Sequence, residues 1–255
     1  MIYFNTKYFA KNFIWLKKID STNTYIKKNN TILKDKTVVA TLNQTNGRGT
    51  KNRKFYSIPG KTLAISILIK NIKTDILHIM PIFCSSVLLK TIKNFNIEKA
   101  TIKWFNDILI NNKKVAGILC ESEIKGITCN IILGVGINIT ATKEEFSKLN
   151  LLKAGSIFSE TQKFIKPEFF LQKFIETFEI YYSRYIKKFN PENIISYYKE
   201  NCYIIGKYIK ILDIKTNYTF TAKAINITNT GNIIVNFKNK KIKIGNDNFS
   251  ILNLL

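Results

Sequence analysis

The chain has 255 residues, 45% of them hydrophobic and 22% charged, which is typical of a soluble globular protein with one sizeable domain and a small appendage. No run approaches the roughly 18 consecutive apolar residues of a membrane span, and polar residues interrupt the start too often for a signal peptide. The formal net charge of +23 comes from lysines dispersed along the chain, which favours compositional drift over a dedicated nucleic-acid surface.

The metal-binding residue types are sparse. The chain has four cysteines without Cys-x-x-Cys spacing, and His78 is its only histidine. We therefore expect no metal site in the protein. Scattered thiols without an export signal indicate a reducing compartment, so we expect a cytoplasmic protein without a membrane partner.

The first part of the chain alternates predicted strands with helices. A short helix is expected to end near Lys28, capped by Asp20 or Ser21, and a longer one spans residues 77–95 with Pro81 in its first turn. Asn111 and Asn112 predict a hairpin turn. The predicted strands are residues 13–19, 37–42, 63–69, 101–104, 115–121 and 127–139.

The pattern changes after Cys202. Before it, residues 169–186 and 191–199 have helical periodicity. After it come short strands separated by Asn/Thr/Gly turns, at residues 209–212, 219–227, 233–237 and 241–244, a pattern typical of a small β-barrel. The sequence therefore predicts an α+β catalytic domain with a mixed sheet and flanking helices over residues 1–202, and a C-terminal β-barrel over residues 203–255.

A basic loop over residues 44–57 follows the second predicted strand. It begins Gln44-Thr45-Asn46-Gly47-Arg48-Gly49, and the polar stretch continues to Gly60. Arg48 stands between two glycines, where its backbone can approach a ligand closely, and exposed N–H groups in such a turn favour anions. Gly60-Lys61-Thr62 resembles the end of a phosphate-binding loop, but Phe55 stands where that motif needs glycine, so this interpretation is rejected.

Two further segments carry candidate site residues. In Lys103-Trp104-Phe105-Asn106-Asp107, the ammonium group of Lys103 follows an apolar strand and can face a carboxylate and a phosphate together. Ser21-Thr22-Asn23, with Gln44, offers donors and acceptors for an uncharged polar ring. The segment Lys114-Val115-Ala116-Gly117-Ile118-Leu119 comes a few residues after the run from Lys103 to Asp107.

These segments, in this order, resemble the biotin protein ligases, together with Asp20 before the Ser-Thr-Asn triplet and Gly134-Val135-Gly136-Ile137-Asn138. The resemblance implies an enzyme that activates biotin with ATP as biotinyl-5'-AMP and joins it to a lysine of a carboxylase carrier domain. It also implies a class II aminoacyl-tRNA synthetase-like fold followed by an SH3-like barrel, Mg²⁺ accompanying ATP, and a biotin carboxyl carrier domain as partner. A homodimer is compatible with the resemblance.

By resemblance, Lys103 and Arg48 are catalytic, and Phe55 and Asn138 lie at the nucleotide. The residues expected to bind biotin or the adenylate are Ser21, Thr22, Asn23, Gln44, Gly47, Arg48, Gly49, Thr50, Lys103 and Gly117.

The chain departs from the family pattern at several positions. Thr50 replaces an arginine associated with holding the adenylate, Phe55 replaces a tryptophan, and Phe105 replaces a proline. Ala222 and Asn226 stand where glycines are common. Some members carry an N-terminal DNA-binding domain and double as repressors. Because the first motif begins near residue 20, we expect the short form here, a dedicated ligase.

Two alternatives remain at this point. A lipoate or octanoate ligase or transferase shares the catalytic fold and also places a lysine near the acyl group. A nucleic-acid-binding protein would use the basic surface, although no segment shows a recognised RNA- or DNA-binding motif. The basic loop, the run from Lys103 to Asp107 and the terminal barrel together favour biotin.

Overall fold

A seven-stranded mixed sheet forms the centre of the larger part of the chain in the computed structural model, which describes residues 2–188 and 190–254. The strands of this part are β1 (Phe13–Trp15), β2 (Val38–Thr41), β3 (Gly47–Arg48), β4 (Lys54–Phe55), β5 (Thr62–Lys73), β6 (Thr101–Lys103), β7 (Asp107–Ile110), β8 (Lys113–Lys125) and β9 (Thr128–Asn138). Of these, β3 and β4 form a separate two-stranded ribbon. The sheet order is β1-β2-β5-β9-β8-β7-β6, with β1 and β2 parallel and the other pairs antiparallel.

Six α-helices accompany this sheet in the part of the chain that the structure describes. They are α1 (Thr22–Lys28), α2 (Met80–Lys93), α3 (Lys143–Lys148), α4 (Ile157–Thr161), α5 (Pro167–Tyr181) and α6 (Glu192–Glu200). Ser21 caps α1 as expected, its side chain accepting from the backbone N–H of Thr24. Pro81 lies in the first turn of α2, where its missing N–H leaves no helical bond unmade.

Strand alternation divides the sheet into two faces with different tasks. On β5 the odd-numbered residues from Leu63 to Ile69 join the main hydrophobic core with α2 and α5. The even-numbered Ser66 and Leu68 point to the opposite face, where Leu68 packs with Ile26 of α1. One face therefore carries the core and leaves the other free for polar side chains.

The C-terminal part forms a second sheet. Its five antiparallel strands are β10 (Tyr208–Asp213), β11 (Thr219–Ile227), β12 (Ile233–Phe237), β13 (Lys240–Ile244) and β14 (Phe249–Leu254), ordered β13-β12-β11-β10-β14. Over the described residues no pairing joins β13 to β14, so a separate β-sheet domain is present but the expected closed barrel is not found. The boundary between residues 202 and 203 stays a prediction.

Most predicted elements are confirmed, with bounds that move at the ends. The predicted first strand is shorter, because the chain leaves the sheet after Trp15, and the predicted helix over residues 169–186 ends in a π-helical turn, Tyr182–Ile186. The expected turn at Asn111 and Asn112 joins β7 to β8, both residues having positive φ. The strands β3, β4, β7 and β14 and the helices α3 and α4 were not predicted.

All four cysteines are free thiols, and three of them are buried. Burial raises the pKa of Cys120 to about 12, with smaller contributions from Cys129 and Glu121. Burial likewise raises the pKa of Cys202 to about 12. These groups stay protonated at neutral pH and serve as small apolar side chains.

No described helix is long and apolar enough to cross a bilayer.

Candidate active site

A cavity lies on the polar face of the large sheet, above strands β5, β8 and β9. Its floor is formed partly by small residues, including Ala64, Gly117, Gly134 and Gly136. Gly117 pairs with Gly136 across β8 and β9, so neither strand projects a β-carbon there. The Phe55 ring packs on Gly136, and Lys114 and Asp107 lie beside Gly117, so these glycines let the lining side chains approach the sheet closely.

The cavity gathers residues that lie far apart in the sequence. Three segments meet there: the N-terminus of α1, the basic loop over residues 44–57, and the end of β6 with the turn into β7. The predicted residues lining the cavity are Ser21, Thr22, Asn23, Gln44, Arg48, Gly49, Thr50, Phe55, Lys103 and Gly117. The separate predictions thus converge on one place.

Two predicted residues do not line the cavity. The amide oxygen of Asn138 accepts from Thr62 Oγ1 at 2.9 Å, and its Nδ2 donates to the carbonyl of Gly155 at 2.9 Å. A β-carbon on Gly47 would come within 2.7 Å of Gln44 Nε2, so this glycine lets the ribbon pack against Gln44. In the structure both residues hold neighbouring segments together.

An uncharged polar corner closes one end of the cavity. Gln44 Oε1 accepts from the backbone N–H of Thr22 at 3.0 Å, and Ser66 Oγ lies 2.6 Å from Asn23 Oδ1. Ser21, Thr22 and Asn23 are all buried. This corner offers fixed donors and acceptors without a net charge on its own side chains.

The rest of the lining is strongly cationic. Its basic residues are Arg48, Lys51, Arg53, Lys54, Lys103 and Lys114. Among the described lining residues Asp107 is the only acid. Such a surplus of fixed positive charge in a partly closed cleft attracts anionic ligands.

Lys103 ends strand β6, directly opposite Asp107 in the β6–β7 register. Burial lowers the pKa of Lys103, Asp107 raises it, and Lys114, Lys153 and Arg53 lower it further. Over the described residues its ammonium group makes neither a hydrogen bond nor an ion pair. An anion in the cavity would therefore supply the counter-charge that Lys103 lacks.

Sequence reasoning missed Lys114. Its Nζ lies 2.7 Å from Asp107 Oδ1 and 6.0 Å from the centre of the Phe55 ring. Simple alternation along β8 would put Lys114 and Gly117 on opposite faces. A register shift where Leu109 pairs with Lys114 and Ile108 with Ala116 brings both to the cavity. The sequence signal that could have identified Lys114 is its position three residues before Gly117, in the segment from Lys114 to Leu119.

The basic loop is more ordered than a polar loop predicts. Strands β3 and β4 form a ribbon closed by a short 3₁₀ turn, Thr50–Asn52, in which Lys51 has a φ of 57°. The Nζ of Lys51 donates to the carbonyl of Phe249 at 2.8 Å, and Arg53 Nη2 donates to Ser250 Oγ at 3.2 Å. The loop is therefore anchored on β14 of the C-terminal sheet.

The C-terminal part also supplies some of the cavity wall, through Ser250 and Ile251 of β14 and Asn246 of the turn before it. A second, buried contact joins the two parts of the chain, because Trp104 Nε1 donates to the carbonyl of Gly231 at 2.8 Å. The peptide bond that follows, between Trp104 and Phe105, is cis. None of these C-terminal residues was predicted to reach the site.

Known proteins share both the motifs and the fold. The family model for the biotin/lipoate A/B protein ligase family matches residues 15–138, a range that holds every predicted site residue. Over these residues the chain is similar to the biotin/lipoate A/B protein ligase family. The match includes the N-terminus of α1, the basic loop and the run from Lys103 to Asp107, so the family signature and the cavity coincide.

Curated relatives and solved structures agree with this similarity. The chain is 31% identical to the bifunctional ligase/repressor BirA of Escherichia coli over 137 residues, 53% of this chain and 43% of that protein. It is 26% identical to the chloroplastic biotin–protein ligase 1 of Arabidopsis thaliana over 201 residues, 71% of this chain and 54% of that protein. The chain thus spans about half the length of these curated relatives.

Among solved structures, the chain is similar to the biotin protein ligase of Aquifex aeolicus in complex with biotin and ATP. The TM-score is 0.77 and the identity 23%, covering 95% of this chain and 99% of that one. A mutant of the same Aquifex protein, in complex with biotin, gives a TM-score of 0.79 at 24% identity, covering 95% of this chain and 99% of that chain. At this identity the likeness establishes the fold, both the mixed sheet with its helices and the C-terminal β-sheet domain.

Proposed function

We propose that this protein is an ATP-dependent biotin protein ligase. It would activate biotin as biotinyl-5'-AMP and transfer the biotinyl group to a lysine of a biotin carboxyl carrier domain. The names of the relatives support biotin as the acid, since those quoted above are called biotin–protein ligase or BirA. The Aquifex protein in particular was solved with biotin and ATP.

One observation carries the proposal: the same cavity has an uncharged polar end and a cationic end. The polar corner of Thr22, Asn23 and Gln44 suits an uncharged ring such as a cyclic urea. The cationic end suits a carboxylate and a phosphate held together. Biotin and ATP together present this set of groups.

The first step joins biotin to AMP. A biotin carboxylate oxygen attacks the α-phosphorus of ATP, a carboxylate–phosphorus bond forms, and the bond to pyrophosphate breaks. We assign Lys103 and Arg48 to the negative charge shared by carboxylate and phosphate, because both line the cavity and fixed cations are already in place there. Lys114 adds a third cation on the same wall, oriented by Asp107.

The second step transfers the biotinyl group. The amine of the acceptor lysine attacks the carbonyl carbon of the mixed anhydride, an amide bond forms, and AMP leaves with the bonding electrons. Until then the anhydride has to be kept from water. The basic loop lines the cavity and is anchored on β14, so it can act as the cover.

Mg²⁺ accompanying ATP is part of the proposal. This ion is commonly held by substrate phosphates, waters and one or two carboxylates. Asp107, the acid of the described lining, fits that arrangement as a single carboxylate beside the phosphate end. When bound, the ion would neutralise phosphate charge alongside the lysines.

The proposed partner is the biotin carboxyl carrier domain of a carboxylase, and the proposed location is the cytoplasm. Homodimer formation is a further proposal compatible with the family. The site residues assigned here, including Phe55 for contact with the adenine ring, are likewise proposals. The position of Phe55 supports its assignment, since its ring packs on Gly136 inside the cavity lining.

The decisive experiment is to incubate the purified protein with biotin and ATP and to search for biotinyl-adenylate by mass spectrometry. Parallel reactions contain lipoate or octanoate instead of biotin. We expect an adenylate with biotin, and transfer to a carrier domain when one is added. An adenylate formed with lipoate or octanoate and not with biotin would overturn the biotin assignment.

A further inference from the structure

Glu121 lies outside the predicted site residues but holds two of them. Its Oε1 accepts from Arg48 Nη2 at 2.9 Å, and its Oε2 accepts from Asn23 Nδ2 at 2.9 Å. The carboxylate is mostly buried, with 19% of its side chain exposed. One acid therefore joins the basic loop to the polar corner of the cavity.

The hydrogen bonds around Asn23 have a fixed direction. An ionised carboxylate only accepts, so Asn23 has to turn its Nδ2 towards Glu121 and its Oδ1 towards Ser66. An amide oxygen also only accepts, so Ser66 has to donate to Asn23 across 2.6 Å. Thr22 Oγ1 lies 2.7 Å from Ser66 Oγ and donates to Gln44 Oε1 at 3.3 Å.

The result is a directed series of hydrogen bonds that runs from Ser66 through Asn23 to Glu121. Of these three side chains, only that of Glu121 carries a charge. The amide of Asn23 is also held from below, since a β-carbon on Gly134 would come within 2.9 Å of Asn23 Cγ. The carboxylate of Glu121 therefore fixes the orientation of the Asn23 amide, with Nδ2 towards Glu121 and Oδ1 towards Ser66.

We propose that Glu121 is a positioning residue for the acid-binding end of the site: it fixes the orientation of the Asn23 amide and holds the Arg48 guanidinium in place. This inference rests on the proposed function for its ligand, biotin, and goes beyond it in assigning Glu121. Glu121 acts through Asn23 and Arg48, since it is their hydrogen-bond partner and does not itself line the cavity.

The substitution Glu121→Gln tests the charge with little change in shape. A glutamine amide can donate or accept, so it no longer dictates how Asn23 is turned, and it loses the ion pair with Arg48. We expect KM for biotin to rise about tenfold, the loss of roughly one charge-assisted hydrogen bond, and kcat to fall by a smaller factor, because Arg48 is still present but less fixed. Glu123→Gln is the matched control, an exposed acid two residues further along β8.

A second pair of variants tests the direction of the hydrogen bonds. In Asn23→Asp two carboxylates face each other, and biotin binding should weaken more than in Glu121→Gln. Adding Glu121→Gln to Asn23→Asp restores a donor opposite an acceptor and should recover part of the affinity. A double variant that binds no better than Asn23→Asp would overturn the directed series.

A readout without ligand separates this inference from the proposed function. Hydrogen exchange of the basic loop should be faster in Glu121→Gln than in wild type, because Arg48 loses its anchor. Equal loop exchange together with unchanged KM would overturn the positioning role. If the wild type neither binds biotin nor forms an adenylate, the proposed function fails, and loop exchange alone then decides whether Glu121 anchors Arg48.

Discussion

The amide of Asn23 rests directly on the backbone of Gly134, with room for no side chain between them. A β-carbon at position 134 would lie 2.9 Å from Asn23 Cγ and 3.0 Å from its Nδ2, so the amide would have to move. Asn23 is buried and bonded on both sides, to Ser66 and to Glu121. The floor and the polar corner of the cavity are therefore one packed unit.

We expect Gly134→Ala to lower the free energy of unfolding by about 1–3 kcal/mol, as overpacking typically does, and to weaken biotin binding at least tenfold. Thermal unfolding and calorimetric titration measure the two effects. In Asn23→Ala/Gly134→Ala the clash is gone, so part of the lost stability should return while binding stays weak. A fully stable, fully binding Gly134→Ala protein would contradict the close packing.

For Lys103→Ala we expect adenylate formation to fall by about 10²–10³, the usual cost of removing one preorganised electrostatic stabiliser. Lys114→Ala should cause a comparable loss, and it also leaves Asp107 without its ion pair. Pyrophosphate release in single-turnover reactions measures both. The exposed Lys148→Ala is the control, and near-wild-type turnover in Lys103→Ala would move the assignment to Lys114.

The pH dependence follows from the lowered pKa of Lys103, caused first by burial. Because anion binding needs the protonated lysine, activity should fall on the alkaline side below the ordinary value of 10.5. Between the folded and unfolded pKa values the unfolded chain binds more protons, so the contribution of Lys103 to stability rises with pH there. In Lys103→Arg the alkaline fall in activity should move to higher pH. If its pH does not change, the fall belongs to another group.

The basic loop should open and close on β14. Trypsin cleavage at Arg48, Lys51, Arg53 or Lys54 should slow when biotin and ATP are added, because ligand contacts restrain the loop. Ser250→Ala removes the acceptor for Arg53 and should speed cleavage without ligand. Thr221→Ala, at an exposed position on β11 of the same sheet, is the comparison. Cleavage that saturating ligand leaves unchanged would show that the loop is not a cover.

Salt dependence separates the two interpretations of the +23 net charge. If the charge is compositional drift, DNA binding should be weak, independent of sequence and lost steeply as salt rises. Carrier biotinylation should persist at physiological salt, although its encounter rate falls if the carrier is acidic. Both are measured by titrating salt in parallel assays. Tight, selective duplex binding at physiological salt would contradict the dedicated-ligase interpretation.

Sequence patterns predicted the strands that hold the site better than the contacts between them. β-Branched and apolar runs identified β2, β5, β8 and β9, and capping chemistry placed the start of α1 at Asp20 or Ser21. Local patterns could not show that a register shift turns Lys114 into the cavity, because a bulge changes which face a residue occupies. They also could not show that Ser250 meets Arg53, a contact between residues 197 positions apart.

The four thiols described above have a practical consequence for measuring the motion of the basic loop. Cys84, Cys129 and Cys202 are buried, and burial raises the pKa of both Cys120 and Cys202 to about 12, so maleimide reagents should find little native thiolate. A cysteine introduced at Lys54 in the loop and another at exposed Leu252 on β14 would then react selectively. Paired spin labels or fluorophores there would report the distance between loop and sheet in the wild-type cysteine background.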